Sequence, residues 1–408
     1  MERIVFEVSK RLVGQGHEVV VITSDRGLPR GRYKERLGGI EVYRYPEYYL
    51  PGVEGPINPG MIRHVWRERF DVLHVHGMTP GISDLSVLIA RIKNRPVVLS
   101  YHYDATTPYR SEWLLRSFYA PIARRVVRHT NFVTVLSKTY AESSPILRHF
   151  LDKIVLIPGG VDTAKFRNSE QSYPNAKEKR APLRILYVGK IIHYKGIDYL
   201  ISAMKEIHRC VPESVLVISG KAASESYHRK ITHEIATSPA RDVIYWDDEW
   251  VDQEKLLEYY HDCDVFTLPS VSRREAFGLV LLEAMAAGKA VVASSLPGPS
   301  DLVEDGVNGF LVAPGDSSGL AKAIIRILSN ESLRTRMGNE SRRIARQYDW
   351  NIVAEQYVQL LGAAANQNMV SDLHLRVDSP VPLVNTTLPP VLSESIKSTT
   401  TASQTGVS

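Results

Sequence analysis

The chain has 408 residues, enough for two ordinary domains, and its apolar, charged and aromatic fractions of 44%, 23% and 8% exclude a wholly disordered protein. The two cysteines, Cys210 and Cys263, have no CxxC neighbour, which argues against a disulfide scaffold or a zinc site and favours a reducing compartment. The net charge of +5 divides into +8 for residues 1–165 and −3 for residues 166–408, so a basic first half faces either an anionic partner or, more simply, solvent.

The first predicted element is an amphipathic helix in "MERIVFEVSKRL". Its charges are spread throughout, which is not the pattern of a signal peptide. No apolar run of the sequence reaches the ~20 residues that a membrane span needs. We therefore expect a cytoplasmic protein, at most peripherally bound to a membrane.

The first half then alternates short β-branched runs with helical stretches such as 81–93 and 111–129. Several of the runs are apolar on both faces, as the strands of a parallel sheet covered by helices must be. The pattern predicts a doubly wound α/β domain over residues 1–166. Its strands are expected in "HEVVVIT" (17–23), "FDVLHVH" (70–76), "RPVVLSYH" (95–102), "NFVTVLS" (131–137) and "DKIVLIPGG" (152–160).

Residues 167–183 are polar and proline-punctuated, which predicts a linker. A second α/β domain is expected over 184–342, and a cleft between the two domains is where a ligand would bind. From residue 364 the chain is rich in Ser, Thr and Pro, which predicts a disordered tail over 364–408. The strands of the second domain are expected at 184–189, 214–220, 242–246, 263–270, 290–295 and 309–315.

Two glutamates stand eight positions apart in "REAFGLVLLEAMAAGKAVVAS", at Glu275 and Glu283. The pattern places Glu275 on a loop after a strand and Glu283 in the helix that begins near Gly278. Unpaired amides at such a helix start bind phosphate, and carboxylates accept hydrogen bonds from the vicinal hydroxyls of a sugar. Together these groups suit a nucleotide sugar. The alternative makes Glu283 a salt-bridging helix residue and Glu275 a solvated loop charge.

The segment "YVGKIIHYKGIDYLISA" (187–203) supports the ligand-binding interpretation. After a strand and the turn at Gly189, Lys190 and Lys195 leave the strand end toward the same cleft, where they would neutralise a diphosphate. In the first half, "DVLHVHG" ends a strand with His74 and His76 on one side, a pattern shared by packing histidines and catalytic ones.

These motifs in combination resemble retaining glycosyltransferases of family 4, which have the GT-B fold of two Rossmann-like domains facing across a cleft. The resemblance rests on "GKIIHYKGIDYLI", "VLVISG" and "LPSVSRREAFGLVLLEAMAAGKAVVASSLPGPSDLVEDGVNGFLVAPGD", and in the first half on "GHEVVVITS", "DVLHVHG" and "VLIPGGVDTAKF". It covers residues 1 to about 363 and implies that a helix at 343–363 crosses back to brace the first domain.

The resemblance implies a role for each matching residue of the second domain. Glu275 would contact the hydroxyls of the donor sugar, Glu283 the nucleotide ribose, and Lys195 the diphosphate. Lys190 stands where many members have arginine, so the bidentate grip is lost there. The amides of the segment Phe277, Gly278 and Leu279, with Gly189, would line the sugar and phosphate subsite.

In the first domain the resemblance favours His76 as the residue that reaches the donor across the cleft. It also suggests cleft-lining or acceptor-side positions at His102, Asp104, Ser137 and Gly159, although the family often has Asn in place of Gly159.

One departure concerns the start of the chain. Family members usually have a strand and a glycine-rich loop ahead of the first helix. We expect either a true start that lies upstream or a chain without that central strand and with impaired activity.

A basic face in "RSEWLLRSFYAPIARRVVRH" (110–129) could rest on anionic lipid through Trp113, Leu114, Phe118 and Ile122. A core-packing helix with a solvated basic side is the preferred interpretation.

The predicted reaction transfers a hexose from a nucleoside diphosphate sugar to the hydroxyl of a saccharide or lipid-linked acceptor with retention of the anomeric configuration. We expect no metal, no other cofactor and no nucleic acid partner, because no aspartate-dense cluster suits magnesium. Alternatives are a sugar phosphorylase or epimerase on the same architecture and a non-catalytic nucleotide-sugar-binding protein. A dehydrogenase is disfavoured because no GxGxxG follows a strand and opens a helix.

Overall fold

The structure is a computed structural model. It describes residues 2–25, 28, 31–48, 58–104, 112–172 and 182–366, but not the side chains of residues 112–118 and 168–172. All of these residues belong to one compact unit, 1–377. The predicted tail beyond residue 366 and the linker residues 173–181 lie outside the described residues.

The first domain has two sheets. Its helices and strands run in the order α1 (Glu2–Gly14), β1 (Val20–Asp25), β2 (Tyr33–Leu37), β3 (Ile40–Pro46), α2 (Pro59–Arg67), β4 (Leu73–His76), α3 (Ser83–Ile92), β5 (Val97–Tyr101), α4 (Glu112–His129), β6 (Phe132–Val135), α5 (Lys138–Ser143) and β7 (Ile154–Leu156). The five predicted strands and the N-terminal helix are confirmed.

The strands β4, β5, β6 and β7 form a parallel sheet in that order, whereas β1, β3 and β2 form a separate three-stranded sheet. Among the described residues no ladder joins β1 to β4. The hairpin β2–β3 is an antiparallel pair that the sequence interpretation missed. Its Gly38-Gly39 turn between two strand-like runs was the available signal.

Alternation along β5 explains how the first domain fills both faces of its sheet. Val97, Leu99 and Tyr101 pack under α3 and α4, whereas Val98 points into a second cluster with α1 and the C-terminal helix. Successive residues of a strand point to opposite faces, so both faces of this covered strand are buried, and its one polar residue, Ser100, is hydrogen-bonded to Thr134 Oγ1 at 2.7 Å.

The second domain is one parallel sheet of six strands in the order β10, β9, β8, β11, β12, β13. Its elements are α6 (Thr163–Ser172), β8 (Leu183–Val188), α7 (Ile197–Cys210), β9 (Ser214–Ser219), α8 (Glu225–Thr237), β10 (Ile244–Asp247), α9 (Gln253–Asp262), β11 (Val265–Leu268), α10 (Leu279–Ala286), β12 (Ala290–Ser294), α11 (Pro299–Leu302), β13 (Gly309–Val312), α12 (Ser317–Leu328) and α13 (Glu331–Ala345). All six predicted strands are confirmed.

The order of strands reverses between β8 and β11, which are hydrogen-bonded neighbours. Loops leave the carboxyl ends of two such strands in opposite directions and open a crevice at that point. The two loops at this crevice are those that carry Lys195 and Glu275.

The last helix, α14 (Trp350–Ala365), returns to the first domain. Its Trp350, Val353 and Tyr357 are buried against Ile4 and Val98, so this helix packs on the first domain, but it begins at Trp350 and not at residue 343. Residues 343–345 belong to α13 instead, with Ile344 and Ala345 in the core of the second domain.

The chain passes between the domains twice, and the two crossings lie side by side. Val161 and Asp349 form a parallel bridge, and Trp350 N–H donates to Val161 O at 3.0 Å. Two corrections follow at the first crossing. Phe166, the predicted last residue of the first domain, packs in the core of the second, and residues 167–172 of the predicted linker are helical.

Candidate functional site

Glu275 and Lys195 form a buried ion pair at the crevice between β8 and β11. Lys195 Nζ donates to Glu275 Oε2, and Ser270 Oγ donates to the same oxygen at 3.0 Å. Glu275 is only 8% exposed, so the alternative in which it is a solvated loop charge is wrong. A carboxylate is held in a buried position only when it is paired and hydrogen-bonded, and both conditions are met here.

Gly196 explains how Lys195 reaches this position. It has φ +69° and caps α7, and a Cβ at this residue would lie 2.0 Å from Pro269 O. Only glycine combines that conformation with that approach. The turn that ends at Lys195 therefore lies directly against the end of β11, and Val271 N–H donates to Tyr194 O at 2.8 Å.

The helix α10 begins beside the ion pair, with Gly278 as its N-cap at φ +92°. The first hydrogen bond of this helix runs from Leu281 N–H to Gly278 O, so the amides of Gly278 and Leu279 carry no intrahelical bond. Phe277 is buried at 3% exposure. The start of α10 is the positive end of a helix dipole and lies next to Lys195. The two positive groups together form a favourable position for an anion.

Glu283 lies one turn into α10, and both of its oxygens have partners. Arg3 Nη1 donates to Oε1 at 2.9 Å, and Tyr260 OH donates to Oε2 at 2.9 Å. Burial raises the pKa of Glu283, while the positive charge of Arg3 opposes that shift. In this structure Glu283 is therefore a salt-bridging helix residue, as the alternative interpretation expected. Sequence reasoning missed Arg3, because nothing local connects residues 280 positions apart.

Lys190 and Gly189 lie at the carboxyl end of β8. Lys190 is exposed, and no described residue pairs with its ammonium group. Gly189 has φ +143° and turns the chain out of the sheet. An exposed lysine at the mouth of the crevice can approach a bound phosphate without breaking an internal bond.

Three histidines cluster at the carboxyl edge of the first-domain sheet. His76 Nδ1 and His102 Nε2 lie 3.4 Å apart, the His74 and His76 rings have centroids 4.0 Å apart, and His74 Nε2 bonds to Ser100 Oγ at 2.8 Å. Burial lowers the pKa of His74 to about 3 and that of His102 to about 4, and it lowers that of His76 well below its usual range. All three are neutral at pH 7, so they act there as hydrogen-bonding groups and not as cations.

Asp104 and Ser137, predicted as acceptor-side or cleft-lining positions, are anchored inside the first domain. Tyr101 OH and Ser144 Oγ donate to Asp104 Oδ1 at 2.8 and 2.6 Å, and Tyr140 OH donates to Oδ2 at 3.2 Å. Ser137 is 1% exposed and caps α5 by accepting from Tyr140 N–H at 3.0 Å. The described contacts of both residues are structural.

Contacts between the domains join the two halves of the site. Arg273 lies two residues before Glu275 in the second-domain loop. Its Cζ is 5.2 Å from the centre of the Tyr140 ring, and its Nη2 is 3.9 Å from Asp104 Oδ2. A Cβ on Gly159 would lie 2.4 Å from Leu279 Cδ2, so the backbone of the first domain touches the start of α10. Sequence reasoning did not single out Arg273, although its position two residues before Glu275 was visible.

Within the described ranges no group of three His, Cys, Asp or Glu side chains is arranged to hold a metal ion. No helix in those ranges is long and apolar enough to cross a membrane.

Two α/β domains with parallel sheets that meet around a strand-end crevice have the architecture of the GT-B fold. The profile described as "Glycosyltransferase Family 4" matches residues 1–165, and that described as "Glycosyl transferases group 1" matches residues 169–344. The chain belongs to glycosyltransferase family 4, and it is a glycosyltransferase.

The chain is similar to two sequence relatives that are glycosyl-transferring enzymes by name, and to a solved structure that supports the fold. A phosphatidyl-myo-inositol mannosyltransferase of Mycolicibacterium smegmatis is 30% identical over 298 residues, covering 71% of this chain and 70% of the relative. A glycogen synthase of Mycobacterium tuberculosis is 28% identical over 307 residues, covering 73% and 70%. The crystal structure of Anabaena HepE in complex with UDP and glucose superposes with a TM-score of 0.66 at 18% identity, covering 89% of this chain and 95% of that one.

Proposed function

We propose that the protein transfers a hexose from a nucleoside diphosphate sugar to the hydroxyl of a saccharide or lipid-linked acceptor, with retention of the anomeric configuration. The observation that carries the proposal is the buried Lys195–Glu275 pair at the start of α10. A lysine, unpaired helix amides and a carboxylate in one crevice match the charge pattern of a diphosphate joined to a sugar.

Each group has a distinct task in this reaction. Breakage of the bond between the anomeric carbon and the diphosphate oxygen leaves negative charge on the diphosphate. Lys195, Lys190 and the amides of Gly278 and Leu279 stabilise that charge. Glu275 accepts hydrogen bonds from the sugar hydroxyls and so orients the ring, and neutral His76 offers a hydrogen bond from the first domain.

Binding of the donor must exchange the present partners of both carboxylates. Glu275 would share Lys195 with the diphosphate, and Glu283 would exchange the Arg3 hydrogen bond for the ribose hydroxyls. A buried carboxylate that loses a hydrogen-bond partner is destabilised unless another partner replaces it. The sugar hydroxyls of the donor would replace the partner of Glu275, and its ribose hydroxyls that of Glu283. The lipid-linked class of acceptor is supported by the mannosyltransferase relative and a saccharide by the glycogen synthase.

The test is a donor panel with the purified chain. Uridine, guanosine and adenosine diphosphate hexoses are each incubated with a saccharide and with a lipid acceptor, and the product anomer is read by proton NMR. We expect release of one nucleoside diphosphate that depends on acceptor, with the donor's anomeric configuration in the product. Tight donor binding without acceptor-dependent turnover would favour the non-catalytic alternative, and an inverted product would contradict retention.

A further inference from the structure

An apolar face lies on the outside of the first domain, between α2 and α3. Its largest side chains, Trp66, Leu88 and Ile92, are 52%, 52% and 59% exposed. With Ile62 and Leu85 they line a shallow groove of about 390 Å³. We call this surface the α2–α3 face.

The helix α3 is apolar on two sides, and only one of them is used by the core. Val87 and Ala90 are buried under 3% exposure against the sheet. Leu85, Leu88 and Ile92 follow the spacing of three and four that places them on one outer side of the same helix. A helix of a globular protein normally has one apolar stripe toward the core and polar residues opposite, so this second stripe calls for a further partner.

The rim of the α2–α3 face is basic. Arg63, Arg67, Arg69 and Arg91 are exposed, and no carboxylate of the described residues pairs with any of them. Glu68 bonds to His64 at 3.0 Å and Asp71 to Arg95 at 3.4 Å. The third acidic group nearby is Asp84 in the first turn of α3, whose buried Oδ1 has no hydrogen-bond partner among the described residues. Residues 58–96 together have a net charge of +3.

This combination suits an anionic lipid surface. Tryptophan and long aliphatic side chains partition into the boundary between headgroups and acyl chains, and arginines beside them bind lipid phosphates. By contrast, α4, which was expected as an alternative lipid contact, packs one side into the core. Of the four apolar residues named for that contact only Ile122 has a described side chain, and it is 42% exposed. Tyr119, Ala123 and Val126 are buried, with Arg124 and Arg125 exposed opposite.

The position of the face relates it to the candidate site. The helix α3 follows β4, which ends at His76, so its first turn lies at the carboxyl edge of the sheet, on the side of the crevice. The α2–α3 face therefore begins near that edge at Leu85 and extends along α3 to Ile92, the last residue of the helix.

We propose that the α2–α3 face docks the protein on an anionic lipid bilayer. Docking needs only the apolar side chains and the arginine rim, and its benefit for catalysis rests on the lipid-linked acceptor of the proposed function.

The test is flotation of the full chain with vesicles of phosphatidylcholine containing 30% phosphatidylglycerol, without any donor sugar. Partition should be at least tenfold stronger than to pure phosphatidylcholine vesicles, since the arginine rim requires anionic headgroups. The triple variant Trp66→Gln, Leu88→Gln, Ile92→Gln should lose at least tenfold in partition. Arg63→Gln with Arg67→Gln should lose several-fold and reduce the sensitivity to salt.

Matched controls distinguish binding through this face from non-specific binding through any exposed tryptophan or arginine. Trp250→Gln changes a tryptophan that is 66% exposed on the second domain, and Arg209→Gln with Arg336→Gln removes two exposed charges there. Both should partition as the parent does, and thermal melts should show that the triple variant is folded.

Three results would overturn the proposal. The first is equal binding by parent and triple variant, and the second is loss of binding only in Arg124→Gln with Arg125→Gln. The third is a concentration-dependent dimer that the triple variant abolishes, which would assign the face to a second copy. The flotation assay contains no donor sugar. A negative result there would reject membrane docking without bearing on glycosyl transfer, and a negative result in the donor panel would not bear on membrane docking.

Discussion

Arg3 and Glu283 form an ion pair of 2.9 Å that joins the first helix of the first domain to α10 of the second. Arg3 Nη1 donates its hydrogen bond to Glu283 Oε1, an oxygen that would accept from the ribose hydroxyls in the proposed complex. The side chain of Arg3 is 39% exposed and that of Glu283 is 14% exposed, so solvent screens the Arg3 end of the pair, and we take its contribution as about 1 kcal/mol. The pair is therefore strong enough to compete with ribose and weak enough to be exchanged.

Replacing Arg3 by Met should tighten the binding of the nucleoside diphosphate by about two- to fivefold, because a competitor worth up to about 1 kcal/mol is removed. Calorimetric titration measures this. Arg11→Met is the control, because Arg11 lies in the same helix and bonds to Glu7 and Asn351, not to Glu283. Weaker nucleotide binding in Arg3→Met would show that Arg3 belongs to the nucleotide site and does not compete with it.

The contact of Gly159 with Leu279 should control how closely the domains approach. In Gly159→Ala a Cβ would meet Leu279 Cδ2 at 2.4 Å, so we expect transfer to fall about tenfold or more through misplacement of the helix start. The double variant Gly159→Ala, Leu279→Ala should recover part of that loss by making room.

Gly362→Ala serves as the control, because nothing lies within 4 Å of a Cβ at that position. If Gly159→Ala were as active as the parent, the domains would not need this approach.

The histidine cluster should make the fold sensitive to mild acid. The pKa values of about 3 for His74 and about 4 for His102 lie below the unfolded value of 6.5, so the unfolded chain binds more protons between pH 6.5 and 4. Stability is present above pH 6.5 and is lost as the pH falls through this window, by up to about 1.4 kcal/mol per pH unit for each histidine.

Urea unfolding at pH 7.5 and pH 5.0 measures this dependence. His102→Gln should lose less free energy of unfolding between the two pH values than the parent does. His149→Gln, a change at an exposed histidine, should behave as the parent. An unchanged slope in His102→Gln would mean that the histidines are not held neutral by burial.

Asp104 should prove to be an anchor of the first domain. In Asp104→Asn an amide nitrogen must face hydroxyls that now donate to the carboxylate, which costs about 1–3 kcal/mol of folding free energy. We expect a lower urea midpoint with an unchanged KM for acceptor. A raised acceptor KM at unchanged stability would instead support the predicted acceptor-side role.

Much of the second domain could be predicted because each strand there is a short apolar run and each loop begins where the run ends. The same logic located Glu275 and Lys195, since the carboxyl ends of β8 and β11 meet at one crevice. The hairpin β2–β3 was missed because the strand "YKERL" is mostly exposed and polar. The partners of Glu283, Asp104 and Ser137 depend on tertiary contacts between distant segments, which no local pattern encodes.

The most direct test of the central claim is the rate of sugar transfer, with the donor identified by the panel, in Lys195→Ala and Glu275→Ala. Lys205→Ala, which removes an exposed lysine of α7, is the matched control, and circular dichroism checks that each variant is folded. We predict at least a hundredfold loss of transfer in Lys195→Ala and in Glu275→Ala, the size typical for a removed charge-stabilising contact, and no loss in the control. Near-parental rates in either folded site variant would contradict the assignment of the crevice as the donor site.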